Sequence, residues 1–354
     1  MKRYKNSLKI MLGLLISLGF LFLAFRQLDF QQMKLAFSQA NYWLLIPSLV
    51  IIFFSHWVRS VRWQYLLNPV QHVPVRNLFS ALLIGYAAND ILPAHLGEFL
   101  RAYVVGRKRQ ISVSSALATI VVERIIDIFF LLAVLLVTIL IYPFPKTKEI
   151  SPTGIFKFLG IDKLSIHDLI TISGYILFIF SIGLLVFLIV LKKYTKPTME
   201  FIQIFFRPFP GGLNEKITNL SRSFIDGLKK MEHKRDYFFI LILSFLIWFC
   251  YWGVLYLNFY TFPNFVSDYD LNMTSGLVIL VITTISVVVP SSPGYIGTYH
   301  FLCQISLTLF GVSRTEGLTY AILVHAINFF PIFIVGFILA WKEGIKLSKV
   351  QKEL

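Results

Sequence analysis

The chain has 354 residues, 56% of them hydrophobic and only 14% charged, with a formal net charge of +15. A mean hydropathy of +0.72 leaves too few polar side chains to cover a soluble domain, so the bilayer has to act as the solvent. The positive charge does not point to nucleic acid, because the basic residues sit just outside apolar runs, where loops face anionic lipid.

The first apolar run, 8–25, follows Lys2, Arg3 and Lys5. It is long and lacks a small-residue cleavage pattern, so it reads as a retained span and not a signal peptide. Six segments in all read as full crossings: about 8–25, 42–58, 115–142, 170–191, 237–257 and 317–341. Two others read as hairpins that enter and leave by the same face. Segment 77–103 turns at Pro93-Ala94-His95-Leu96-Gly97, and segment 275–310 turns at Pro290-Ser291-Ser292-Pro293-Gly294. Proline removes a backbone donor and glycine opens unusual dihedrals, which suits a helix interrupted within the membrane. The expected fold is therefore all-α: a single polytopic membrane domain over 1–354. The order span, span, hairpin, span occurs twice, starting from opposite faces, as an inverted-topology repeat over about 8–142 and 170–341.

Most of the 33 lysines and arginines fall on one face if the N-terminus is inside, including Arg59, Arg62, Arg76, Arg101 and the basic stretch 192–236. This predicts a cytoplasmic (inner) cell membrane protein with both termini in the cytoplasm. The loop 143–169, with Lys146, Lys148, Lys157 and Lys163, runs against the trend. Within the basic linker, Leu213, Ile217, Leu220, Phe224, Leu228 and Met231 recur at helical spacing, which predicts an amphipathic helix resting on anionic lipid or joining the halves.

Ionisable residues at mid-depth cost roughly 2.5–3.5 kcal/mol each on the insertion scale, so they face a partner or a wet cavity. Glu123, Arg124 and Asp127 share one helical stripe, with Arg124 between the two carboxylates. They either staple this helix to a neighbour or line a cavity. The first hairpin adds Asn89, Asp90, His95, Glu98 and Arg101, the last two at a spacing that lets them pair. The second adds Ser291, Ser292, Tyr295, Thr298 and His300. Free amides after each break favour a phosphate, although the same polar residues would also cap a tight turn. His300 and His325, the latter with Asn328 three positions on, are either core histidines or a proton-linked gate. Cys250 and Cys303 read as small core residues. No metal-ligand spacing, phosphate loop, nucleophile elbow or dinucleotide motif is visible, so no cofactor is expected.

The run Asn89 to Arg101, the stretch Glu123-Arg124-Ile125-Ile126-Asp127, the Pro290 to Gly297 segment, and Arg59, Arg62 and Trp63 together resemble the lysylphosphatidylglycerol synthase transmembrane region, or flippase-like, family over nearly the whole chain. In that family some members pair such a membrane region with a soluble domain that makes aminoacylated phosphatidylglycerol. Others resemble membrane parts of polyprenyl-linked sugar pathways. The chain ends at Leu354 shortly after the last span, so the resemblance implies no lysyl transfer here and a transporter rather than an enzyme. Three positions depart from the pattern: His95 and His325 where arginine is common, and His300 where glutamate is common.

The resulting expectation is a translocase for an anionic or zwitterionic phospholipid or polyprenyl-linked lipid. Anionic lipid at the inner face and a separate lipid-synthesising enzyme are the expected partners, and self-association into a homo-oligomer stays open. The rival readings are a lipid-modifying enzyme or its membrane subunit, and a scaffold for an envelope enzyme.

Overall fold

A computed structural model describes residues 15–26, 28–92, 96–109, 111–142, 149–150, 164–165, scattered positions between 172 and 204, 234–288 and 292–345. Among these the chain is helical, apart from a two-residue antiparallel ladder that pairs Glu149–Ile150 with Leu164–Ser165. The helices before the ladder are α1 (Leu15–Phe25), α2 (Phe30–Gln39), α3 (Leu45–Leu67), α4 (Val75–Ile91), α5 (Leu96–Arg109) and α6 (Val113–Ile141). Those after it are α7 (Lys234–Leu257), the one-turn α8 (Phe265–Asp268), α9 (Met273–Val288), α10 (Thr298–Thr308) and α11 (Arg314–Lys342).

Four helical stretches are long and apolar enough to cross a membrane: Tyr42–Leu67, Val113–Ile141, Arg235–Thr261 and Arg314–Lys342. They match four of the six expected crossings. The chain of α1 is described from Leu15 onward, and the expected crossing 170–191 is described only at scattered positions. The expected amphipathic helix at 213–231 lies outside the described residues. Large apolar side chains point outward along these helices, such as Leu140 at 75% and Phe245 at 66% exposure, as a lipid-facing surface requires.

The helix starts follow from local capping. The Asp29 side chain accepts from the amides of Gln31 and Gln32 at the head of α2. Both long helices α6 and α11 begin behind a serine: Ser112 Oγ accepts from Ser115 N, and Ser313 Oγ accepts from Glu316 N. At the head of α11 the Tyr269 hydroxyl donates to Glu316 at 2.5 Å. Burial and that carboxylate push Tyr269 up to about 12, so it remains a donor at neutral pH.

The packing partners come in matching sets. Helix α3 packs on α4 as α7 packs on α9; α4 lies along α5 as α9 lies along α10; α5 meets α6 as α10 meets α11. Across the middle, α4 packs on α11 as α9 packs on α6, and α3 packs on α7. Helices α6 and α11 both have 29 residues.

Both expected breaks are present, each between two helices that pack together. In the first, the helix ends at Ile91 and resumes at Leu96. The second runs further along the chain than the expected 290–294. Pro293–Tyr295 form a short 3-10 turn, and left-handed backbone appears at Gly294 (φ 68°), Tyr295 (φ 57°) and Gly297 (φ 97°). Proline fits the start of that turn, and the reversal is then completed by glycine at 297, where a Cβ would stand 2.5 Å from the Ser17 carbonyl of α1. In the first hairpin a Cβ on Gly97 would collide with the Gly85 carbonyl of α4, so the two helices can touch only through glycine. Gly97→Ala is expected to destabilise the protein by about 1–3 kcal/mol, the usual cost of overpacking. Gly19→Ala, where nothing lies within 4 Å, is the control that should melt like the wild type in detergent. Equal melting of the two variants would contradict the close approach.

Candidate functional site

Helix α3 carries Arg59, Arg62 and Trp63 at a spacing that turns all three toward α5 and α6. Helix α6 presents Thr119, Glu123 and Asp127, four residues apart, on one stripe. The two faces meet in a buried charge cluster. Arg59 Nη1 lies 3.1 Å from Glu123 and 3.3 Å from Asp127. Arg62 Nη2 lies 2.8 Å from Asp127 and 3.6 Å from Glu123, while its Nη1 donates to Ser244 of α7 at 2.9 Å. From α5, Arg101 reaches Glu123 at 2.6 Å. Its guanidinium also stacks 3.6 Å from the centre of the Trp63 ring, whose indole nitrogen donates to Thr119. Arg59, Arg62, Arg101 and Glu123 are all buried.

Arg124 occupies the rim of this cluster. It contacts Glu123 at 3.0 Å, Asp127 at 3.6 Å and Glu98 of α5 at 3.2 Å, yet its side chain is 37% exposed. Among the described residues, four guanidinium groups meet three carboxylates in these ion pairs, one positive charge more than negative. The Nε donors of Arg59, Arg62 and Arg101 are buried with no acceptor among the described residues, whereas buried donors in folded proteins are nearly always paired. At 1.5 Å per residue, Glu123 sits about 15 Å along α6 from Val113, well inside the length of a span.

The second break reaches toward the same place. Its short 3-10 turn packs on α4, the helix that carries Asn89 and Asp90. Asn89 has a structural task, its Oδ1 accepting from the Gly97 amide at 2.7 Å and closing the first break. Thr298 and Ser292 cap the second, donating to the Tyr295 and Ile296 carbonyls.

A second pair, of two histidines, stands at the equivalent position of the later helices. Glu98 is the third residue of α5 and His300 the third of α10; Arg124 and His325 each lie eleven residues after the first residue of their 29-residue helices. Where Glu98 pairs with Arg124, the rings of His300 and His325 meet with centroids 4.7 Å apart. His325 Nε2 also lies 2.9 Å from the Gly294 carbonyl, and its ring stacks on Tyr299. Asn328, in register with Asp127, is exposed and bonds back to Val324 of its own helix.

Several expectations are corrected by this geometry. Glu98 and Arg101 do not pair with each other: Arg101 turns to Glu123 and Glu98 to Arg124, since Glu123 offers a fully buried partner. Arg124 does not hold the two carboxylates alone, because Arg59 and Arg62 bind both. Those two arginines were expected among cytoplasmic-face cations and are buried within a spanning helix instead. The signal that could have found them was their spacing on an apolar helix. His95 and Ser291 lie outside the described residues. Among the described residues no three His, Cys, Asp or Glu side chains cluster as a metal site would need.

A family model described as the lysylphosphatidylglycerol synthase TM region matches residues 10–336. A UPF0104 membrane protein of Methanothermobacter thermautotrophicus is 23% identical over 307 residues, which cover 85% of this chain and 86% of that protein. The glycosyltransferase AglD of Haloferax volcanii is 28% identical over 127 residues, 36% of this chain and only 20% of that protein. No solved structure matches the chain.

Proposed function

We propose, from the premise that this chain belongs to the lysylphosphatidylglycerol synthase transmembrane-region family, that it is a lipid translocase. It moves a phosphate-bearing lipid headgroup past the charge cluster between the two broken helix pairs. The observation that carries the reading is the uneven cluster: four arginines and three carboxylates, drawn from two spanning helices and from α5 between them, with Arg124 at its rim. An anionic headgroup supplies the missing negative charge and accepts from guanidinium donors in a fork geometry that suits phosphate. Asp90 and Glu98 receive a headgroup amine where one is present.

The matching packing sets and the shared register of Glu98 with His300 and of Arg124 with His325 support an inverted repeat. In this reading the broken pairs are re-entrant hairpins, six helices cross the cytoplasmic membrane, and both termini face the cytoplasm. Exchange of conformation between the halves would expose the site to either leaflet in turn.

Purified protein in liposomes tests this with lipids labelled on the acyl chain and quenched from outside. Transfer of phosphatidylglycerol or phosphatidylethanolamine between leaflets, faster than in protein-free liposomes and faster than for an uncharged diacylglycerol, is the expected result. No acceleration for any headgroup would reject the translocase.

The local similarity to AglD favours a second reading, a membrane subunit or enzyme of lipid-linked glycosylation. New radiolabelled lipid formed by the purified chain from a sugar nucleotide and a lipid carrier would establish it.

A further inference from the structure

Glu343 caps the C-terminal end of α11, where Gly344 turns the backbone left-handed (φ 63°) and the Ile345 amide donates to the Ala340 carbonyl at 3.0 Å. A carboxylate at that end opposes the helix dipole and needs a cation beside it. Lys108, in the last turn of α5, forms an ion pair with Glu343 Oε1, and the buried Ser80 hydroxyl of α4 donates to the same oxygen. Beneath this polar contact Leu339, Ala340 and Ile345 pack on the core that holds Leu78 and Ala81 of α4 and Val104 and Val105 of α5. About two turns earlier on α11, a Cβ on Gly336 would stand 2.3 Å from the Leu83 carbonyl of α4. The seam between α4 and α11 is therefore tightly packed along its length and closed at its end by charge.

The other seam repeats this contact with different chemistry. Glu343 directly follows the 29 residues of α11, and Tyr142 directly follows the 29 of α6. Lys108 lies twelve residues after the first residue of α5, and Phe310 lies twelve after the first of α10. Where Glu343 pairs with Lys108, the Tyr142 ring meets the Phe310 ring edge-on, with centroids 5.3 Å apart. We propose that these two contacts are the latches of two gates to the charge cluster, the Glu343–Lys108 ion pair closing the α4–α11 seam and the Tyr142–Phe310 contact closing the α6–α9 seam. The proposal rests on the translocase reading and its inverted repeat, and it adds which residues hold each gate. Both latches are made in this structure, the arrangement that lies between two alternately open states. They also differ in what loosens them. The Lys108 and Glu343 side chains are 34% and 15% exposed, so salt or an anionic headgroup competing for Lys108 weakens that gate and leaves the aromatic one alone.

Distances between spin labels on the full chain, in nanodiscs of phosphatidylcholine and phosphatidylglycerol and with Cys250 and Cys303 replaced by alanine, test the latches. Labels at Arg76→Cys and Trp341→Cys span the α4–α11 seam, and labels at Leu140→Cys and Met273→Cys span the α6–α9 seam; all four side chains are exposed. Glu343→Lys sets two ammonium groups where the ion pair stood. It should shift the first pair toward a longer distance by about tenfold in population ratio, while the second pair stays unmoved. Lys108→Glu, a change at an exposed residue that leaves the core intact, should act likewise, and the exchanged pair Lys108→Glu/Glu343→Lys should restore the short distance. Tyr142→Ala should lengthen the second distance only. An unmoved first distance in both single variants, both seams loosening together, no recovery in the exchanged pair, or no effect of Tyr142→Ala would each overturn the proposal. The distances are read without lipid transfer, so a chain whose seams respond as expected but which moves no lipid would reject the translocase and not the latches.

Discussion

Glu123→Ala is expected to be the most damaging substitution at the cluster, lowering stability by about 3–5 kcal/mol, the cost of leaving buried charges without their partner. The Glu123 carboxylate lies within 3.6 Å of four guanidinium groups, and three of those arginines are themselves buried. Asp127 can still hold Arg59 and Arg62, but among the described residues Arg101 keeps only its stacking on Trp63. Since whole domains are stable by only about 5–15 kcal/mol, such a loss should show as a poor yield of monodisperse protein and a much lower melting temperature in detergent. Glu123→Gln keeps the shape but not the charge and should suffer nearly as much. Wild-type melting of either variant would mean that the cluster is solvated well enough to tolerate the loss.

Arg124→Ala is expected to show the opposite profile: a fold close to the wild type and lipid transfer reduced at least about tenfold, the effect of losing one charge-assisted contact. Its side chain is 37% exposed, so removing it leaves no buried void, and Glu123 retains three other arginines. What disappears is the guanidinium at the rim and its hold on Glu98. Arg124→Lys keeps the charge but loses the fork, so transfer should fall between the two. The liposome assay with anionic phospholipid reads this directly, alongside a melting curve for each variant. Full transfer by Arg124→Ala would remove the rim arginine from the mechanism.

The membrane character, the four best-defined spans and both helix breaks could be read from apolar runs and from proline and glycine, because these depend on local chain chemistry. So could the stripe of Glu123, Arg124 and Asp127, which one helix period fixes. The partners of that stripe could not. Arg59 and Arg62 look like loop cations when counted by charge, and only the packing of α3 on α6 shows that two carboxylates await them. Glu98 and Arg101 illustrate the same limit: spacing shows that they are able to pair, whereas tertiary packing gives each a different partner. For Asn328 the helix position was legible but its exposure was not, since that depends on which neighbours cover α11. That His325 with Asn328 answers Arg124 with Asp127 was legible from a polar partner three positions on in each half, and the helix starts add the register that sets His300 opposite Glu98.

Translocation needs a polar recess beside Arg124 that headgroups can enter. Glu98→Cys, in a chain whose Cys250 and Cys303 have been replaced by alanine, measures this through its reaction with a membrane-impermeant thiol reagent in liposomes. Modification at a measurable rate, slowed by anionic phospholipid and not by uncharged lipid, is the expected result. Reaction with a lipid-soluble reagent only, at a rate indifferent to headgroup charge, would contradict it.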